Sequence, residues 1–146
     1  MKYKIVPKAE AVEWVSSLHT ARPSVALGVL LAGDRWSCVD EVVLATTVFG
    51  DIVGIATMAF RGEWESGEST IVAVYVLPDR RGHGIGYKLF ETAIDYMLSR
   101  EFETIRVDAM NSKVSRMIDH LPIEKRQKLN VVVQSFGGMV DAMMES

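Results

Sequence analysis

The sequence predicts one α/β domain with a mixed, mostly antiparallel central sheet flanked by helices. Three observations carry this. Residues 41–49 and 51–60 are rich in Val, Ile and Thr and part only around Gly50 and Asp51, a connection too short to join parallel strands. Residues 70–77 form a third, largely β-branched apolar run that stops at Pro78. It is too short for an ordinary helix and reads as a buried central strand. From Ile85 onward, Leu89, Phe90, Ala93, Ile94, Met97 and Leu98 recur at spacings of three and four, which makes one face of a helix.

The remaining elements follow in chain order. Residues 2–6 read as a first strand closed by Pro7, and residues 9–18 place Ala11, Trp14, Val15 and Leu18 on one side of an amphipathic helix. Residues 23–31 are apolar without alternation and read as a second helix. Residues 61–68 are polar and contain glycine, so they form a loop. Residues 104–109 are a strand, and Asn111 can cap a helix over 112–121, which Pro122 ends. At the end of the chain two readings stand. Residues 131–136 and 139–144 about Gly137-Gly138 fit a hairpin, whereas Val132, Phe136, Val140 and Met143 fit one side of a helix; the Val131–Val133 run and the paired glycines favour strands.

Bulk properties exclude several classes of function. The 146 residues suffice for a single core, and the expected domain spans 1–146. A net charge of −3, with no basic block interleaved with aromatics, gives no pull toward nucleic acid. The longest apolar run, residues 25–33, falls far short of the roughly 20 residues a bilayer demands, so no membrane partner is expected. The single cysteine, Cys38, cannot close an internal disulfide, which points to a reducing, cytoplasmic setting. His19, His83 and His120 stand apart from one another and from Cys38, without metal-ligand spacing.

The chemistry lies in residues 74–87, Val-Tyr-Val-Leu-Pro-Asp-Arg-Arg-Gly-His-Gly-Ile-Gly-Tyr. A buried strand leads into a glycine-rich turn, and the turn feeds the start of the strongest helix. Glycines at 82, 84 and 86 let the backbone come close to an anion and aim several N–H groups at it, and the helix dipole adds attraction for negative charge. A diphosphate suits such a cradle. A phosphate-binding P-loop would end in Gly-Lys-Ser/Thr, but Gly86 precedes Tyr87-Lys88-Leu89; a dinucleotide fold would put two residues between Gly84 and the next glycine, and there is one.

The motif Arg81-x-x-Gly84-x-Gly86, after a strand ending Val76-x-Pro78, resembles the acetyl-CoA signature of the GNAT superfamily of N-acetyltransferases. The local match covers residues 70–98, and the element order from residue 2 to about 121 is also similar to that family. The resemblance implies a GNAT-like acyl-CoA N-acyltransferase fold and acetyl-CoA (coenzyme A) as cofactor. It implies that the backbone of Arg81, Gly82, His83, Gly84, Ile85, Gly86 and Tyr87 holds the pyrophosphate. The backbone of Val74, Tyr75 and Val76 would pair with the pantetheine arm, in a gap where strand 70–77 splays from strand 104–109. An N–H near Val76 would stabilise the thioester oxyanion, and Asn111 and Ser115 would approach the cofactor from the other side.

The match runs out at the proton-transfer groups. Many GNAT members use a glutamate on the central strand as base; here Thr70 and Val72 stand there, and Glu68 is the nearest candidate, with Glu63 and Glu65 in the same loop. The tyrosine that many members carry after the asparagine falls on Ile118. The expected activity is therefore acetyl transfer to a primary amine of a small-molecule or peptide acceptor, with a non-catalytic coenzyme A-binding sensor or subunit as the alternative. A longer acyl group or a hydroxyl acceptor is a third. The acidic loop favours a cationic acceptor, and the apolar C-terminal end suits pairing in a homodimer.

Overall fold

The computed structural model describes residues 1–21, 39–60, 69–100, 102, 104–108 and 112–132. The chain runs β1 (Lys2–Pro7), α1 (Ala9–Ala21), β2 (Glu41–Thr46), β3 (Ile52–Ala59), β4 (Ser69–Val76), a 3₁₀ turn (Pro78–Arg80), α2 (Ile85–Ser99), β5 (Ile105–Asp108), α3 (Ser112–His120), a single helical turn α4 (Ile123–Arg126) and β6 (Leu129–Val132). The strands form one sheet in sequence order. The pairs from β1 to β4 are antiparallel; β4–β5 and β5–β6 are parallel. This is the mixed, mostly antiparallel sheet that the patterning predicts.

The continuous apolar runs of β2, β3 and β4 follow from burial on both faces. On one face Val43, Ala45, Ala56, Met58 and Ile71 meet Leu89, Phe90, Ala93, Ile94 and Met97 of α2. On the other, Val42, Leu44, Ile55, Val72 and Tyr75 cluster with Ala11 and Val15 of α1. Gly54 is what lets α2 come so close to the sheet. A Cβ there would stand 2.9 Å from Leu89 Cδ1 and 3.1 Å from the Tyr75 carbonyl oxygen.

Two features of β4 prepare the functional end of the sheet. Its register with β3 shifts, Thr57 pairing with Ala73 but Met58 with Ile71, so Val72 is an extra residue. Accordingly Val72 and Ala73 share the α1 face, while Ile71, Val74 and Val76 share the α2 face; a bulge of this kind bends and twists the strand that carries it. In addition, β4 pairs with β5 only at Ser69, Thr70 and Ile71. From Val72 to Val76 its second edge has no strand partner among the described residues. Among the described residues the pairing of these two strands thus stops at Ile71 and Val107.

Several boundaries differ from the sequence reading. The β2–β3 strands end earlier at the turn, leaving Val48 and Phe49 in it, 85% and 88% exposed. Thr47 ties that turn by accepting at Oγ1 from the Phe49 and Asp51 N–H groups. Pro122 ends α3 as expected but also opens α4, with the Arg126 N–H bonding to the Pro122 carbonyl at 3.0 Å; the charged stretch hid a turn of helix. β6 begins at Leu129, two residues before the expected strand, and runs parallel to β5. The expected second helix at 23–31, Cys38, the loop 61–68, the cap Asn111 and the hairpin partner at 139–144 lie outside the described residues. Among the described residues no helix is long and apolar enough to cross a membrane.

Candidate active site

At the end of β4 the chain makes the turn that the glycine spacing predicts. The Leu77 N–H still bonds to the Val53 carbonyl at 2.9 Å, and the 3₁₀ turn closes through Arg80 N–H to Leu77 O at 2.9 Å and Arg81 N–H to Pro78 O at 3.4 Å. Gly82 and Gly84 then take φ of 85° and 78°. A Cβ at either would meet open space, so the left-handed backbone, not crowding, calls for glycine. Gly84 sits at the N-cap of α2 without a side-chain cap, and the first intrahelical bond is Lys88 N–H to Gly84 O at 3.0 Å. The N–H groups of residues 82–87 therefore have no acceptor among the described residues. Six donors at the positive end of a 15-residue helix form an anion cradle.

Arg81 serves the turn differently from a simple surface charge. Its Nε donates to the Val76 carbonyl at 2.9 Å, and its guanidinium lies 5.5 Å from the Tyr75 ring centre. Arg80 and His83 are exposed, His83 pointing outward as expected for a turn residue.

The Leu77 bond also fixes which backbone groups of β4 face the gap. N–H and C=O directions alternate along a strand; Leu77 faces β3, so Val76 and Val74 face the opposite way. The Arg81 bond to the Val76 carbonyl agrees with this. Tyr75 turns its backbone groups toward β3 and its buried side chain toward α1. Of the three residues expected along the cofactor arm, Val74 thus presents a donor and an acceptor to the open edge and Val76 its N–H, the Val76 carbonyl being taken by Arg81, while Tyr75 faces β3 and does not contribute its backbone.

Near the cradle, α3 approaches the start of α2. Met117 comes within reach of the start of α2: a Cβ on Gly86 would lie 3.9 Å from Met117 Sδ and 3.6 Å from Val76 Cγ2. Ile118 is buried in the core under α2, so no phenol stands at the position where the resemblance calls for tyrosine. Ser115 is exposed on α3. Glu68 and Asn111 fall outside the described residues, immediately before β4 and α3 respectively.

Comparison with known proteins gives this geometry a family. The model of the acetyltransferase (GNAT) family matches residues 20–118. The chain belongs to that family. Among solved structures, a ribosomal-protein-alanine N-acetyltransferase from Brucella melitensis biovar Abortus 2308 is 20% identical with a TM-score of 0.52, over 73% of this chain and 77% of that one. A GNAT-family acetyltransferase from Staphylococcus aureus Mu50 is 16% identical with a TM-score of 0.51, over 82% and 80%. At such identities these likenesses establish the shared GNAT fold. No curated protein matches the sequence.

In this GNAT domain the cradle is tied to α3 by a polar network. The Tyr87 hydroxyl lies 3.3 Å from Glu91 Oε2 and 3.3 Å from the His120 carbonyl oxygen. Glu91 meets Lys88 at 3.6 Å and Lys125 at 3.4 Å, and Lys125 meets Asp95 at 2.8 Å. Burial, then the Glu91 charge, pushes the Tyr87 hydroxyl above its ordinary pKa. The hydrogen bond to Asp95, ahead of the acidic charges around it, holds the Lys125 ammonium above its own against some desolvation. Sequence reasoning missed Gly54, the side-chain bond of Arg81 and the contact of Met117 with Gly86. Only the first had a signal, a glycine inside a strand pattern.

Proposed function

We propose that this GNAT-family member binds acetyl-CoA in the cradle and along the open edge of β4, and transfers the acetyl group directly to a primary amine in a ternary complex. One observation carries the reading: unpartnered backbone donors on residues 82–87 adjoin a strand edge whose Val74 and Val76 groups lack a strand partner among the described residues. A diphosphate fits the first and an extended amide-bearing arm the second, as an added strand would. Acetyl-CoA, when bound, supplies the activated acetyl thioester.

The chain's own groups then have distinct tasks. Residues 82–87 hold negative charge with the backbone, the Arg81 N–H being taken by the Pro78 carbonyl, so the side chains of His83 and Tyr87 stay available for other contacts. The Val76 N–H donates where an oxyanion develops; one such donor is worth about 10²–10³ in rate. Glu68 takes the proton of the incoming amine, and Asn111 and Ser115 approach the cofactor from the other side. A general base contributes roughly 10²–10⁴-fold, whereas positioning two reactants contributes more. Activity thus survives the apolar residue at 118. The acceptor is a small-molecule or peptide amine, with Glu63, Glu65 and Glu68 favouring a cationic one. We also take residues 1–146 as one domain, cytoplasmic, with the C-terminal end available for a homodimer contact.

A second reading, a coenzyme A-binding sensor or subunit without chemistry, draws on the buried Ile118. A thiol-release assay with acetyl-CoA and a panel of polyamines, aminoglycosides and lysine peptides separates the two. Amine-dependent release of coenzyme A supports transfer. Binding of acetyl-CoA with no release above the protein-free rate for any amine supports the sensor.

A further inference from the structure

We propose that Tyr87 is a positioning residue whose hydroxyl fixes α3 against the diphosphate cradle and so sets the far wall of the gap. The inference rests on the acetyl-CoA reading above. Tyr87 belongs to both structures at once: its N–H is the last unpartnered donor of the turn, and its hydroxyl reaches the carbonyl of His120, the final residue of α3. The same hydroxyl reaches Glu91 on the next turn of α2, and the Tyr87 ring lies edge-on to the His120 ring at 6.4 Å between centroids.

The network extends this tie past the corner at Pro122. Glu91 and Asp95 hold Lys125 of α4 at 3.4 and 2.8 Å, so both sides of the corner are fastened to the first turns of α2. Val114, Met117 and Ile118 of α3 join the apolar cluster that α2 also enters. Apolar contacts are non-directional and permit a short helix to slide; a hydroxyl bonded to its last carbonyl does not. Met117, the residue of α3 whose sulfur lies beside Gly86 at the start of α2, moves with any such slide. The cofactor's diphosphate half is thus held by backbone alone, while the fit of its acyl half depends on the Tyr87 hydroxyl.

This separates the two halves experimentally. Tyr87→Phe keeps the ring and the backbone N–H and removes the one hydroxyl proton that Glu91 and the His120 carbonyl share, each at 3.3 Å. Calorimetric titration of wild type and variant with acetyl-CoA and with 3′-phospho-ADP, which carries the diphosphate without the pantetheine arm, reads the ratio of the two affinities. The expected result is that acetyl-CoA loses about three- to tenfold more affinity than the fragment, the range set by one shared hydrogen bond. A ratio within twofold of wild type, or equal weakening of both ligands alongside a lower melting temperature, overturns the proposal and leaves a merely stabilising tyrosine. If Tyr87→Phe melts too low to titrate, Glu91→Gln, which loosens the same network, is read against the same ratio. Wild-type protein that binds neither ligand would instead sink the acetyl-CoA reading, and this proposal with it.

Discussion

Gly84 and Gly86 are two residues apart in one motif, yet the structure assigns them different constraints, and alanine at each exposes the difference. Gly84 holds φ of 78° with open space around a Cβ. An alanine there has nothing to collide with, but it must adopt left-handed backbone at a cost of about 1–2 kcal/mol, offset in part by lower unfolded-state entropy. Gly86 lies in the first turn of α2, and its Cβ would make ordinary contacts at 3.6 and 3.9 Å. Alanine there gains about 0.5–1 kcal/mol of helix preference. The two variants should therefore differ by about 2 kcal/mol, roughly 4–8 °C in melting temperature for a domain of this size, with Gly84→Ala the lower. Affinity should split the same way. Relaxing φ at 84 re-aims the donors that follow, so acetyl-CoA binding falls at least about tenfold, while Gly86→Ala stays within about threefold of wild type. Thermal melts and calorimetry on the pair decide the matter. Equal melting temperatures and equal affinities would mean that the left-handed turn is not what shapes the cradle.

Other outcomes follow from the same geometry. Gly54→Ala drives a Cβ to 2.9 Å from Leu89 Cδ1 and 3.1 Å from the Tyr75 carbonyl, an overpacking that should cost about 1–3 kcal/mol in a denaturant titration. Glu68→Gln should lower the amine-dependent rate by roughly 10²-fold or more near pH 7 while acetyl-CoA affinity changes far less; an unchanged rate would remove Glu68 as the base. Both Tyr87 and Lys125 have raised folded-state pKa values, from 10.0 and 10.5. Their stabilisation is complete below those ordinary values and is lost as pH climbs through the higher folded ones. Lys125→Met should therefore flatten the decline in melting temperature above about pH 10; an identical alkaline profile would show that the network titrates without consequence.

How much was legible depended on whether a feature is local. The hairpin, the buried β4 run and the α2 stripe are short-range patterns, and each appears close to its expected place. The cradle was legible for the same reason, since Gly82, Gly84 and the start of α2 are contiguous and their left-handed backbone is a property of the glycines themselves. The bulge at Val72 was hidden because it is a mismatch of register between two strands; in the sequence, residues 70–77 show only an unbroken apolar run. Likewise Arg81 reads as part of the diphosphate motif, and nothing in the sequence shows that its side chain bonds to the Val76 carbonyl. The α4 turn vanished under the charges of residues 124–128, of which Lys125 meets Asp95 and Glu91, thirty or more residues earlier in the chain.

The measurement nearest to the central claim is calorimetric titration of the intact protein with acetyl-CoA, with NAD and ATP as comparison ligands, repeated on Gly84→Asp. Micromolar binding of acetyl-CoA alone is expected, abolished when the aspartate adds both backbone strain and a negative charge to the cradle. Absence of acetyl-CoA binding to the wild type, or binding that Gly84→Asp leaves intact, would contradict it and reduce the glycine turn to a connection between β4 and α2.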